Sequence, residues 1–450
     1  MSTMRKHTIS TKLASSLGAL TLAVSAQGIV HATQITLSEA FDYNAFIFED
    51  YTGYYSDVEG SLAVGGNLVV NDFDVGLQLS TDLTTSSLFV GGDIAYTNGK
   101  IRNGQTTVSG NIVANSVEFE GTVNAADNAT ITESTVLSGD VNVGGVFTSA
   151  NAQINDGDIN AGSVQLTNTS VENGDIRSVD SVALVSSEVT DGSISAGGTV
   201  VLDMHSTASD GIIADAVTSS AIDNIDFDAI ESEIKAQSLA FADMTVNGST
   251  TFYCQGDTSC ADSTNVDGIV FSGDDSINIY DIDADWLSVA NKSITYDFST
   301  TSYNIINVTG DAVDLFNTGF FNIAFAGQYQ DNDQNANYRH DGTYTNNILF
   351  NFVDATSVTI QSIGVKGSIL APYADIAFYN GHVDGNLIAS SVFTPEVYLT
   401  NDDGVEYLAP TGQVNNYSFG VTQVSAPGSI LLMLPAFAVV FIRNKLKRKT

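Results

Sequence analysis

Residues 139–196 read GDVNVGGVFTSANAQINDGDINAGSVQLTNTSVENGDIRSVDSVALVSSEVTDGSISA. Within this stretch Gly139, Gly157, Gly174 and Gly192 follow one another at intervals of 18, 17 and 18 residues. Two positions after each glycine stands Val141, Ile159, Ile176 or Ile194, and three positions before the next stands Ile154, Val171 or Val189. Phe147, Leu166 and Leu184 fall between these columns. The grid extends back through Gly104 and Gly121, with Thr106, Val123, Val117 and Val136, and forward to Gly211, Ile213 and Leu202. A coil of about 18 residues has room for three short strands and three turns. Successive coils stack at the strand spacing, roughly 4.8 Å, so each Val/Ile column points inward and piles on its copy. Glycine is expected where the chain bends tightly. No coil buries its apolar side alone, so several are needed together. The expected fold is mainly β: a right-handed parallel β-helix, or solenoid, of about 18 residues per coil, interrupted by an insertion with one flanking α-helix. Seven coils give a rod about 34 Å long.

Pieces of the ladder lie outside this run. Gly60, Gly65 and Gly66, then Gly91 and Gly92, read as earlier coils, and Gly367 and Gly385 stand 18 apart near the end. Coils are therefore expected over about 60–215 and again over about 350–395, with a helix-containing insertion at about 222–345. In that insertion Asp228 and Glu231 form a capping-box pattern. Phe227, Ile230, Ile234 and Phe241 follow at helical spacing, predicting a helix over about 226–243 that packs along the solenoid or over one end.

The ends have their own grammar. Residues 1–12 carry Arg5, Lys6 and Lys12, an apolar run reaches Val24, and small residues stand at Ala26 and Ala32. This three-part layout predicts a signal peptide over 1–32, cleaved after Ala26 or after Ala32. At the other end, Val424, Ser425, Ala426 and Pro427 precede an apolar run, Ile430 to Ile442, closed by five basic residues. A short apolar segment with a basic end predicts a sorting signal over 424–450, held in the membrane and then cut; an uncleaved single-pass tail is the alternative. The domain proper then spans 33–423. Eight of the 15 basic residues lie in the two ends, whereas all 52 acidic residues lie between them. Such a surface repels nucleic acid and anionic lipid, and suits an exterior protein that attracts divalent cations. Cys254 and Cys260, the only cysteines, are expected to form a small disulfide loop in an exported chain.

Catalytic motifs are not evident, and no cofactor is expected. His205, His340 and His382 are scattered, and no Gly-x-Ser-x-Gly elbow, His-Glu-x-x-His helix or phosphate loop is present. Asp331, Asp333 and Asn335 offer calcium-type oxygens, but Ala336 stands where a helix–loop–helix calcium site needs glycine. Asp281, Asp283 and Asp285 alternate and would share one strand face, a second calcium candidate. Tyr51, Tyr54 and Tyr55 cluster beside Gly53, either as ligand contacts or as packing at the first coil.

Three stretches carry a family resemblance. YNAFIFEDYTGYYSDVEGSLAVGGN at 43–67, IDFDAI at 225–230, and ILFNFVDAT at 348–356 with GSILAPYADI at 367–376 and GNLIAS at 385–390 resemble choice-of-anchor A family proteins. These are bacterial surface proteins with an adhesive domain and variable C-terminal anchors, and the resemblance covers about residues 35–395. The tail resembles a PEP-CTERM-type signal, which implies an exosortase-like membrane protease as partner, although Val-Ser-Ala-Pro replaces the usual Val-Pro-Glu-Pro. The closing coils are similar to those of bacterial ice-binding solenoids. Together these imply an adhesin-like or matrix protein on the surface of a Gram-negative bacterium, binding extracellular polysaccharide or a matrix or host-surface ligand. An ice- or crystal-surface binder is the first alternative and a polysaccharide-active β-helix enzyme the second.

Overall fold

In each coil one residue other than glycine takes the left-handed conformation. Tyr55, Asp72, Asn98, Ser116, Glu133, Asn151, Asn168 and Ser186 do so with φ of 49–58°. A second corner uses Asn103, Asp156, Asn173 and Asp191. Asn and Asp, half of these residues and more, tolerate this region best among residues with a Cβ. Straight strands run between the corners, and stacking the coils makes three flat parallel faces. These features belong to the compact unit Thr36–Thr450 of the computed structural model. The structure describes residues 35–213, 225–254, 260–323, 328–329, 339–401 and 403–420. The signal segment 1–32, the sorting motif Val424–Pro427 and the calcium candidates Asp331, Asp333 and Asn335 lie outside them.

The inward columns follow the sequence grid with three shifts. On the first face Thr106, Val123, Val141, Ile159, Ile176, Ile194 and Ile212 stand in register. Ile212, not Ile213, meets Ile194; at 57% exposure it ends the dry column rather than extending it. On the third face Phe119, rather than Val117, opens the column Val136, Ile154, Val171, Val189. Phe147 sits over Val164, while Leu166 and Leu184 form the neighbouring column of the second face. Of the ladder glycines, Gly139 and Gly211 take the left-handed φ expected at a tight bend, at 103° and 81°, and the others have a different cause. Gly121, Gly157, Gly174 and Gly192 have no left-handed φ. A Cβ on any of them would run into the backbone carbonyl of the ladder glycine one coil below. At these four positions glycine is required by close stacking, and most of the bends fall to residues other than glycine, Asn and Asp foremost.

The chain begins in the middle of its own stack. Strand Ala45–Ile47 pairs with Leu62–Val64 on one side and with Leu387–Phe393 on the other. Above it the first face continues through Ser86–Val90 and Gln105–Val108 up to Ile212–Ile213. Below Leu387–Phe393 lie Ser368–Tyr379, Ile348–Phe352, Tyr303–Thr309 and finally Ile277–Asp283. On this face the lower stack thus starts at Ile277, and its neighbouring sheet already starts at Val266, not near residue 350. Paired residues there are 26 apart between Asn278 and Asn304, and the step to Ile348 is longer still, so the 18-residue period is lost while the pairing persists. The insertion shrinks to one helix and the strand Ser249–Cys254, which pairs antiparallel with Val266–Gly273; Val266–Gly273 in turn pairs in parallel with Lys292–Phe298, and that strand with Thr318–Asn322. Cys254 and Cys260 are disulfide-bonded beside the antiparallel pair.

The helix, α1 (Phe227–Ala242), lies along the first face. Its N-cap is Asp226, which accepts from the Ala229 N–H at 3.0 Å. The expected Asp228/Glu231 box does not form, because the cap sits two residues earlier and the box position is Ala229. A 16-residue helix is about 24 Å long, the height of about five strand spacings. The rungs beneath it therefore turn apolar side chains outward: Leu370, Ile388, Phe46, Ala63 and Phe89 are all buried. Phe227 packs against Phe46 and Phe89. Lower down, Asn351 exchanges two hydrogen bonds with Ser238 and donates to Asn307, which donates to the Phe241 carbonyl. Beyond the helix the same outward column becomes a polar ladder, with Asn160 donating to Asn142 and Asn142 to Asn124. Among the described residues no helix is long and apolar enough to cross a membrane.

Candidate functional site

Alternation along each strand leaves two outward columns on the second face. One runs Phe393, Thr52, Val69, Ala95, Val113, Thr130, Thr148, Gln165, Ala183, Val201. The other, two residues further along each strand, runs Tyr54, Asn71, Thr97, Asn115, Thr132, Ala150, Thr167, Val185. Strand geometry sets the grid at roughly 4.8 by 6.7 Å, and the first column is about 43 Å long.

Both edges of this face are fixed. On one side an Asx ladder joins consecutive coils: Asp50 accepts the Asn67 N–H at 2.7 Å, Asn67 accepts the Asp93 N–H at 2.9 Å, and Asp93 accepts the Asn111 N–H at 2.7 Å. Asn128 continues it at 3.2 Å from Asn111. On the other side eight of the ten rungs turn on a left-handed corner residue, from Tyr55 to Ser186. The result is a preorganised surface with little side-chain entropy left to lose on contact.

Its chemistry is the opposite of the rest of the chain. Over these rungs neither column holds a charged residue, on a protein of formal net charge −37; below Phe393 the first column continues through Ala377 and Thr359 to Asp314, where charge returns. Val69, Val113, Val185 and Val201 are exposed to 47, 55, 48 and 59%. Threonine hydroxyls and asparagine amides are interleaved with these methyl groups. Such a strip can make dispersion contacts and neutral hydrogen bonds without desolvating a charge.

The tyrosine cluster contributes less than its sequence suggests. Tyr51 is fully buried against Phe73, because its position in the strand faces inward. Tyr54 is half-buried and donates its hydroxyl to the Pro395 carbonyl at 3.2 Å. Only Tyr55, at the corner, is exposed. The aspartate trio also separates. Asp281 lies in a strand and accepts from Asn307, Asp283 caps the short helix Ala284–Leu287, and Asp285 lies within that helix. The strand ends at Asp283, so the three do not share a face.

Charged groups gather instead on the lower third face. Lys366 and Asp384 are paired across adjacent rungs, both fully buried. Burial pushes the Asp384 carboxyl up to about 6, against the opposing pull of Lys366. Burial, then Lys366 and His340, hold the His382 imidazole well below its usual range. Nearby, burial and then Glu59 raise Asp57 to about 6. His340 and His382, scattered in sequence, bring their ring centres to 4.5 Å. Lys366 and Asp384 each stand one position before Gly367 and Gly385, so the ladder itself carried the signal that they would meet.

A family profile described as "Putative Ice-binding-like adhesive domain" matches residues 36–136 and 107–397. No curated protein and no solved structure matches the chain.

Proposed function

The chain belongs to the ice-binding-like adhesive domain family, and from that premise we propose that it is a non-catalytic surface adhesin whose contact surface is the second face. The observation that supports this most is the uncharged, flat grid running through ten rungs of an otherwise acidic protein. An extended ligand meets a small, uncharged contact at nearly every rung, and many weak contacts add through avidity. The ligand class that fits is an extended polymer outside the cell, an extracellular polysaccharide or a matrix or host-surface protein. The columns do not repeat one side chain: valine, alanine, glutamine and asparagine interrupt the threonines. That irregularity favours a polymer over a crystal lattice. On this reading the chain is a choice-of-anchor A protein, exported by residues 1–32. Residues 424–450 then hold it at the inner membrane for an exosortase-like protease of a Gram-negative cell.

The test is a glycan and matrix-protein array probed with the full chain, with and without calcium, beside the triple variant Val113→Glu/Thr130→Glu/Thr148→Glu. The three side chains point outward, but on successive rungs their carboxylates repel, so urea unfolding of the variant accompanies the array and binding is compared only where it is folded. Binding of the native chain to at least one polymer, weakened at least about tenfold in the variant, is the expected result. Equal binding by both chains would remove the second face from the mechanism. Silence across the array together with ice recrystallisation inhibition would favour the lattice-binding alternative.

A further inference from the structure

The charged cluster on the third face has no part in that contact surface. It is built from two adjacent rungs and a segment laid over them. His382 pairs in register with Gly364, and Asp384 with Lys366. A Cβ on Gly364 would overlap the His382 imidazole, so this glycine leaves the room the ring occupies. The overlying segment is held by Lys366, whose ammonium donates to the Arg339 carbonyl at 3.1 Å. That places the His340 ring against His382.

Two buried acceptors are left over in this arrangement. His382 Nε2 is buried, with the residue 4% exposed, and has no hydrogen-bond partner; Asn415 Oδ1 is in the same condition. Asn415 donates its amide to Asp384 Oδ1 and lies 3.1 Å from His340 Nδ1. His382 Nε2 is 3.9 Å from Asp384 Oδ1. One ligating atom from each of His340, His382 and Asp384 lies within 4.8 Å of the others. Buried acceptors without donors are costly, and a bound cation is one way to satisfy them. A cavity of about 320 Å³ lined by His340, His382, Asp57 and Gln413 gives access.

We propose that His340, His382 and Asp384 form a binding site for a borderline divalent transition-metal ion of the zinc, nickel or copper(II) class. Two imidazoles and one carboxylate suit these ions, whereas calcium and magnesium seek shells of oxygen. Lys366 occupies Asp384 Oδ2 and leaves Oδ1 on the histidine side. A carboxylate oxygen has two lone-pair sites, so Oδ1 accepts from Asn415 and still ligates. Ligand bonds of about 2.0–2.2 Å need the three atoms drawn together, and His340, the exposed one of the three, would give up its Asn415 contact to reach the metal. Bound metal would clamp the segment at 339–341 onto the solenoid. The site does not depend on the adhesive reading.

The experiment is calorimetric titration of the full chain, stripped with a chelator, with zinc, and with cobalt(II) as a spectroscopic probe. The expected result is one saturable site with visible cobalt bands from nitrogen and oxygen ligands. His340→Ala should weaken it at least about tenfold while leaving the metal-free circular dichroism unchanged, because His340 is exposed. His205→Ala should bind as the native chain does. Absence of saturable binding below about 100 μM, equal binding by His340→Ala, or displacement of zinc by equimolar calcium would each overturn the assignment.

Discussion

Gly174→Ala should destabilise the protein by about 3 kcal/mol, although alanine is ordinarily among the mildest replacements for glycine in regular structure. The Cβ would be driven into the carbonyl oxygen and carbon of Gly157, one coil below. The obstacle is backbone, held by its own neighbours in the ladder, so no rotamer change relieves it. Close-packed interiors transmit such a clash rather than absorb it. Gly268→Ala is the control: its Cβ would meet side-chain atoms no closer than 3.5 Å, ordinary contact, and should cost no more than about 0.5 kcal/mol. Urea unfolding of both variants measures the difference in midpoint. Coils touch only their neighbours, so a second, earlier transition covering the upper rungs is also expected for Gly174→Ala. Equal midpoints for the two variants would mean that the glycines do not stack.

Lys366→Met should cost about 3–5 kcal/mol, because it strands the Asp384 carboxylate in a fully buried site. Asn415 alone would then face that charge. The lysine also donates to the Arg339 carbonyl, so the overlying segment loses a tether. Lys366→Met/Asp384→Leu should recover at least half of the loss, since removing both charges removes the uncompensated one. Urea unfolding again supplies the comparison. A single-variant cost below about 1 kcal/mol is what an exposed ion pair would give, and would show that the pair is solvated.

The middle of the solenoid was legible because its coils are nearly equal in length. Val141, Ile159, Ile176 and Ile194 recur at one period, and their stacking follows from it. The lower stack was hidden by its long connections: Ile277–Asp283 and Tyr303–Thr309 pair as regularly as any rungs but are not spaced at 18. That the closing coils slot beneath the opening strand has no periodic signal at all, since Ala45 and Leu387 are joined only in space. The bends were assigned to glycine, yet Asn151, Asn168 and Ser186 make them. The contact face was missed for a related reason. No single residue type repeats along it: what Val113, Thr130 and Thr148 share is small size and lack of charge. His340 meets His382 only through the overlying segment, which no local pattern reports.

The account of one continuous rod depends on the closing coils slotting beneath the opening ones. The most direct measurement is an engineered cross-link between Thr52 and Phe393, paired in adjacent parallel strands and both exposed. Adjacent parallel strands lie about 4.8 Å apart, within the Cα separation a disulfide spans. Thr52→Cys/Phe393→Cys should oxidise quickly in the folded chain and tie off a loop of more than three hundred residues, migrating faster on a non-reducing denaturing gel. Thr52→Cys/Val201→Cys, whose sites lie several rungs apart, should not. Failure of the first pair to close, or equal closure of the second, would contradict one continuous rod.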